Sequence, residues 1–154
     1  MVSLKNKSKG FTIVELLIVI VVIGILATLV LVTFTGIQQK ARDSKRKTDL
    51  GAVQAALESY YSSNNTYPTL ANMQDSSWLK TNMSGFDPAA LQDPKGASSS
   101  TVQASDDSTH YGYVVTPTGC DGNAASSPVA CTNYKITADL ETGTNATFVK
   151  QSNN

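Results

Sequence analysis

Between Phe11 and Phe34 the chain reads FTIVELLIVIVVIGILATLVLVTF, and from Leu16 to Gln39 it carries no charged residue. As a helix, Phe11 to Phe34 extends about 36 Å, enough to cross a hydrocarbon core of about 30 Å. No other stretch of the chain is so long or so apolar. One residue breaks the pattern. Glu15 lies five residues into the run, where a bare carboxylate costs about 2.5 to 3.5 kcal/mol if it reaches the bilayer centre. It therefore needs a partner or a shallow position.

Beyond Phe34 the sequence continues TGIQQKARDSKRKTDLGAVQAALESYYSS, with strong helix formers and no proline before Pro68. One helix is predicted from Phe11 to about Ser63, roughly 80 Å long. Its polar half, residues 36–63, places Val53, Ala56, Leu57 and Tyr60 at i, i+3, i+4 and i+7, with Leu50 on an adjacent edge, so one stripe requires a covering domain. Asp43 with Lys47, and Lys45 with Asp49, form i, i+4 pairs suited to an exposed surface. The run KARDSKRK is predicted to face solvent or lipid headgroups rather than nucleic acid, since no aromatic residue interleaves with it.

The remaining residues, 64–154, are enough for one small domain and exclude a large enzyme core. Asn64 to Asp107 is rich in turn dipeptides, with one short helix expected around Met73 to Lys80. Alternation then predicts strands at His110–Thr116, Thr132–Leu140 and Ala146–Lys150. Tyr111, Tyr113 and Val115 share one face, as do Tyr134, Ile136, Ala138 and Leu140, and Gly143 suits a tight turn. The fold class is α+β: a long N-terminal helix, membrane-spanning in its first half (residues 11–35), packed by its second half on a small antiparallel three-stranded sheet. Cys120 and Cys131 are the only cysteines. They suit a disulfide outside the cytoplasm, the alternatives being two free thiols or half of a metal site.

Before the apolar run stands MVSLKNKSKG, with Lys5, Lys7, Lys9 and a closing Gly10. A basic leader ending in Gly, then Phe, then Glu at the fifth residue beyond it and a long apolar helix, resembles the class III signal of type IV pilins and type II secretion pseudopilins. The resemblance implies that residues 1–10 are a leader cut off by prepilin peptidase between Gly10 and Phe11, and that the new Phe11 amine is methylated. Removing the three leader lysines leaves nine Lys and Arg against twelve Asp and Glu, a net charge of −3. Charge counting for topology is divided, because basic residues flank both ends of the apolar run. The leader and the cysteine pair place the N-terminus in the cytoplasm and the domain outside. Tyr67-Pro68 and the DPKG at Asp93 to Gly96 look like the G-type major pseudopilin pattern, with Lys95 where an aromatic is usual.

The resemblance implies further roles. Glu15 faces the freed amine of Phe11 on a neighbouring copy, neutralising both charges; the plain alternative is an acid favoured by the helix macrodipole. His110 is the lone histidine, so no multi-histidine site is available. Asp106 and Asp107 invite comparison with the calcium loop of G-type pseudopilins but lack its extended acidic ending, and no metal or other cofactor is expected. Asn64, Asn82 and Asn145 begin N-x-S/T triplets. The expected function is a non-enzymatic structural subunit of a type IV pilus-like filament. A major type II pseudopilin is the alternative within the class, and a monomeric membrane-anchored binding module the alternative outside it. Expected partners are identical subunits, prepilin peptidase, the pilus or secretion assembly machinery and membrane lipid. The precursor is expected in the cytoplasmic membrane and the filament in the periplasm or outside the cell.

Overall fold

The computed structural model describes residues 10–97, 101–121, 129–144 and 146–153. The leader lysines Lys5, Lys7 and Lys9, and Asn145, lie outside the described residues. The elements are helix α1 (Ile13–Asn64), α2 (Leu70–Gln74), α3 (Ser76–Asn82), a 3-10 turn (Pro88–Leu91) and strands β1 (Gly112–Thr116), β2 (Asn133–Asp139) and β3 (Thr147–Gln151). The sheet is an antiparallel meander, β1-β2-β3. Two compact units divide the chain at Gln38.

In the second unit, α1 and the sheet enclose one core. Leu50, Val53, Leu57 and Tyr60 of α1 are buried with Tyr111, Tyr113, Tyr134, Ile136 and Ala138. The helical stripe and the strand faces thus meet as their periodicities require. The segment between α1 and β1 completes that core with Tyr67, Met73, Leu79, Leu91 and Val102. Its single expected helix is two helices, because Asp75 caps α3 through Ser77 and Trp78 and ends α2 in extended backbone. The buried tyrosines keep their hydroxyls bonded: Tyr111 donates to Asp49, Tyr113 to the Pro68 carbonyl, and Tyr67 and Tyr134 both to Glu58. Gly112 is required where β1 begins, since a Cβ there would lie 2.5 Å from both the Asp106 nitrogen and the Thr137 hydroxyl.

The charged surface expected on α1 is corrected. Arg46 is fully buried, and Asp43 and Asp49 nearly so. Asp43 does not pair with Lys47. It accepts from Arg46 at 2.9 Å and from the Glu141 and Thr142 backbone N–H groups at 2.8 Å each. Arg46 forks onto Asp93 at 2.7 and 3.0 Å and also reaches Glu141. Arg42 grips Glu141 with two bonds of 2.6 Å, and Lys95 stands 3.5 Å from it. Only the Lys45–Asp49 pair forms as expected. The cause is tertiary: the DPKG turn and the β2–β3 turn each bring a carboxylate to the helix, and a guanidinium offers five donors to receive them. Gly143, at φ 113°, lets the second of these turns close. Lys95 accordingly extends the ion cluster where an aromatic was the familiar residue.

Cys120 and Cys131 form a disulfide, so the free-thiol and half-metal-site alternatives fall away. Cys131 is buried, its N–H donating to the Thr66 hydroxyl and its carbonyl accepting from Tyr67 N–H. The crosslink closes the β1–β2 loop on itself, and the Cys131 backbone bonds tie that loop to the chain leaving α1. Cys120→Ser/Cys131→Ser is expected to lower stability by about 3 kcal/mol on the chain-entropy account. Thermal unfolding of the detergent-solubilised chain, wild type beside variant, measures the loss. Peptide mapping without reductant should find the two cysteines joined in native protein.

Candidate assembly site

The N-terminal site is built from Gly10, Phe11, Thr12 and Glu15 at the mouth of α1. Thr12 precedes the first helical residue. Its hydroxyl accepts the Glu15 N–H at 3.2 Å, while a Glu15 carboxylate oxygen accepts the Thr12 N–H at 2.8 Å and the Thr12 hydroxyl at 2.7 Å. This reciprocal pair is a capping box, which satisfies backbone donors that a helix start leaves open. Thr12 was missed in the sequence, although T-x-x-E before an apolar run is the written form of the motif.

The capping box changes what Glu15 must be explained by. Its carboxylate has a local partner within one chain, so the macrodipole alternative gains a concrete geometry. In this uncleaved chain Phe11 is bonded to Gly10, and among the described residues no ammonium group pairs with Glu15. Phe11 itself is exposed. Among the described residues, a Cβ added at Gly10 would meet no atom within 4 Å.

The apolar surface that follows has no cover. An 18-residue window of α1 has a mean hydropathy of 3.2 and no part of it is buried. Length and composition suffice for this helix to cross a membrane. Its polar atoms are satisfied internally: Thr28 bonds to the Ile25 carbonyl, Thr33 to those of Leu29 and Val30, and Thr35 to that of Leu31. Hydroxyls bonded in this way enter lipid at little cost.

Elsewhere the candidate residues resolve into structural roles. His110 Nδ1 lies 3.1 Å from Asp107, and Asp107 also accepts the Thr109 N–H and hydroxyl. These bonds to Thr109, with lesser help from His110, hold the Asp107 carboxyl down at about 2. Asp139 moves the opposite way, raised by burial and by the neighbouring Asp106 carboxylate. Among the described residues no three His, Cys, Asp or Glu side chains gather as a metal site. Asn64 and Asn82 each donate to a carbonyl of their own helix, those of Tyr60 and Trp78.

An exposed apolar helix behind a capped N-terminus, continuing into a small α+β head, defines the pilin-like class. The family description "Prokaryotic N-terminal methylation motif" matches residues 5–31. The chain is 43% identical over 65 residues to the type II secretion system core protein G of Aeromonas hydrophila, covering 42% of this chain and 46% of that one. The same-named protein of Escherichia coli is 42% identical over 64 residues, 42% of this chain and 44% of its own. The type IV major pilin protein PilA of Myxococcus xanthus is 38% identical over 66 residues, 43% of this chain and 30% of its own. No solved structure gives a significant match. In the part these likenesses cover, the chain is similar to type IV pilins and G-type pseudopilins; it spans less than half the length of these curated relatives.

Proposed function

We propose that the chain is the precursor of a structural subunit of a type IV pilus-like filament. Prepilin peptidase cuts between Gly10 and Phe11, the apolar half of α1 holds the subunit in the cytoplasmic membrane with its head outside, and copies then assemble through their helices. One observation carries this reading. The head encloses its own core, yet the charge-free part of α1 is bare, and only lipid or other copies of the same helix can cover it. The disulfide supports a head in an oxidising compartment. The role is one of packing rather than catalysis.

Processing tests the reading first. Intact-mass and N-terminal analysis of protein from sheared filaments should find N-methylated Phe11 as the first residue. Gly10→Lys, which places a long charged side chain at the cleavage site, should leave the full-length precursor in the membrane. Met1 retained on filament protein would overturn the assignment.

A second reading, the major pseudopilin of a type II secretion system, draws on the relatives of that name and on the DPKG turn. Asp93 of that turn is the bidentate counterion of Arg46, so the motif has a structural role in this chain under either reading. Deletion of the gene separates the two: loss of surface filaments marks a pilin, and retention of exoproteins inside the envelope marks a pseudopilin.

A further inference from the structure

Near α1 and β3 the ion cluster leaves some basic residues matched and others not, while Lys80 and Lys135 lie on α3 and β2. Arg42, Lys45, Arg46 and Lys95 are matched by four carboxylates. Lys40, Lys47 and Lys150 have no carboxylate within 4.0 Å among the described residues. Lys40 and Lys47 are exposed and seven residues apart on α1, so they share one helix face. That face lies along β3, since Gln54, a further seven residues on, donates to the Gln151 carbonyl. Lys47 and Lys150 each stand 5.9 Å from the centre of the Phe148 ring, which is only half-buried.

We propose that Lys40, Lys47 and Lys150, around the Phe148 ring, are a docking surface for the anionic phospholipid headgroups of the membrane that α1 enters. The inference rests on the membrane-precursor reading above. Lys40 is the first charge after the 24 residues from Leu16 to Gln39. A spanning run of that length delivers Lys40 to the headgroup layer, whatever the tilt of the head. Lys47 is then no more than about 10 Å further along the helix, close to the Debye length of about 8 Å. Lys150 is tied to Lys47 through the shared ring. Because the adjacent cluster is neutral, these three ammonium groups set the sign of the surface. Lysine beside an aromatic ring is a pairing suited to a bilayer interface.

Lysine acylation footprinting of the full chain in vesicles tests this. One set of vesicles is phosphatidylcholine alone, a second contains phosphatidylglycerol, and a third is phosphatidylcholine with duplex DNA added outside. In the anionic vesicles Lys40, Lys47 and Lys150 should label about fivefold more slowly than in the neutral ones, with 1 M salt restoring the rate and Lys80 unchanged. Slowing at Lys40 alone, equal slowing at Lys80, or slowing by DNA instead of anionic lipid each overturns the inference. Carbonate extraction of the same vesicles reads insertion separately. An inserted chain without lysine protection overturns this inference and leaves the filament reading standing, whereas an extractable chain overturns both.

Discussion

Glu15→Gln is expected to abolish filament formation while membrane insertion and leader cleavage stay near wild-type levels. The capping box makes this variant more informative than Glu15→Ala, because glutamine serves at the third helical position of such a box as glutamate does. Gln therefore removes the charge and keeps the cap; Ala removes both. Thr12→Val does the reverse, deleting the capping hydroxyl and keeping the carboxylate. If Glu15 meets the freed Phe11 amine of a neighbour, both Glu15 variants fail and Thr12→Val still assembles. Leaving one ion of a desolvated pair alone costs roughly 3 to 5 kcal/mol, on the order of a hundredfold or more in each association constant. If capping is the whole role, Gln assembles normally while Ala and Thr12→Val are equally impaired. A monomeric anchored module would be indifferent to all three. The measurement is sheared filament yield relative to inserted, processed subunit, and normal yield in Glu15→Gln would sink the pairing mechanism.

The second large effect is expected at Arg46. Arg46→Ala removes the only cation paired with Asp93 among the described residues and one partner each of Asp43 and Glu141, carboxylates with little or no access to water, leaving Glu141 to Arg42 and Asp43 to backbone N–H groups. The expected cost is roughly 3 to 5 kcal/mol, a large share of the 5 to 15 or so that a domain possesses. For a head of this size that is a fall of about 15 to 30 °C in Tm. Arg46→Lys keeps the charge but not the planar fork, and should lie between.

Acid should reproduce part of the effect in the wild type. Burial opposes ionisation of Asp43, but the Thr142 hydroxyl, the Glu141 and Thr142 N–H groups and Arg46 outweigh it and bring the group down to about 2. Glu141 is lowered to about 2 chiefly by Arg42, against burial and with further help from Arg46. Both values lie below those of the unfolded chain, so their contribution is complete above about pH 4.5 and is lost as pH falls through 2. Thermal melts in detergent should thus be nearly flat from pH 7 to 4.5 and then drop, with a shallower drop in Arg46→Ala. A wild-type melt as steep between pH 7 and 5 as below 4 would contradict the cluster's role.

The sequence by itself determined the elements whose signal is periodic and local. A 24-residue run without charge needs no tertiary partner to be recognised as a helix in search of lipid or copies of itself. Leu50, Val53 and Leu57 at helical spacing, and Tyr134, Ile136 and Ala138 at strand spacing, declare the faces that meet in the core. Gly10, Phe11 and Glu15 carry the family signal in their order. The cap at Thr12 was legible too, since its partners are three residues apart. What only the tertiary structure decided is the fate of the charges between Lys40 and Asp49. By sequence, Asp43 has an equally good partner in Lys47, and Arg46 resembles any other cation on a solvated helix. Asp93 and Glu141 stand 47 and 95 residues from Arg46. Such carboxylates enter no local pattern, because the turns that carry them are distant in sequence and adjacent to the helix only in the folded head. Burial of the guanidinium follows from that arrangement, and so does the unmatched state of Lys40, Lys47 and Lys150 beside it: a charge is paired or free according to what the fold brings next to it.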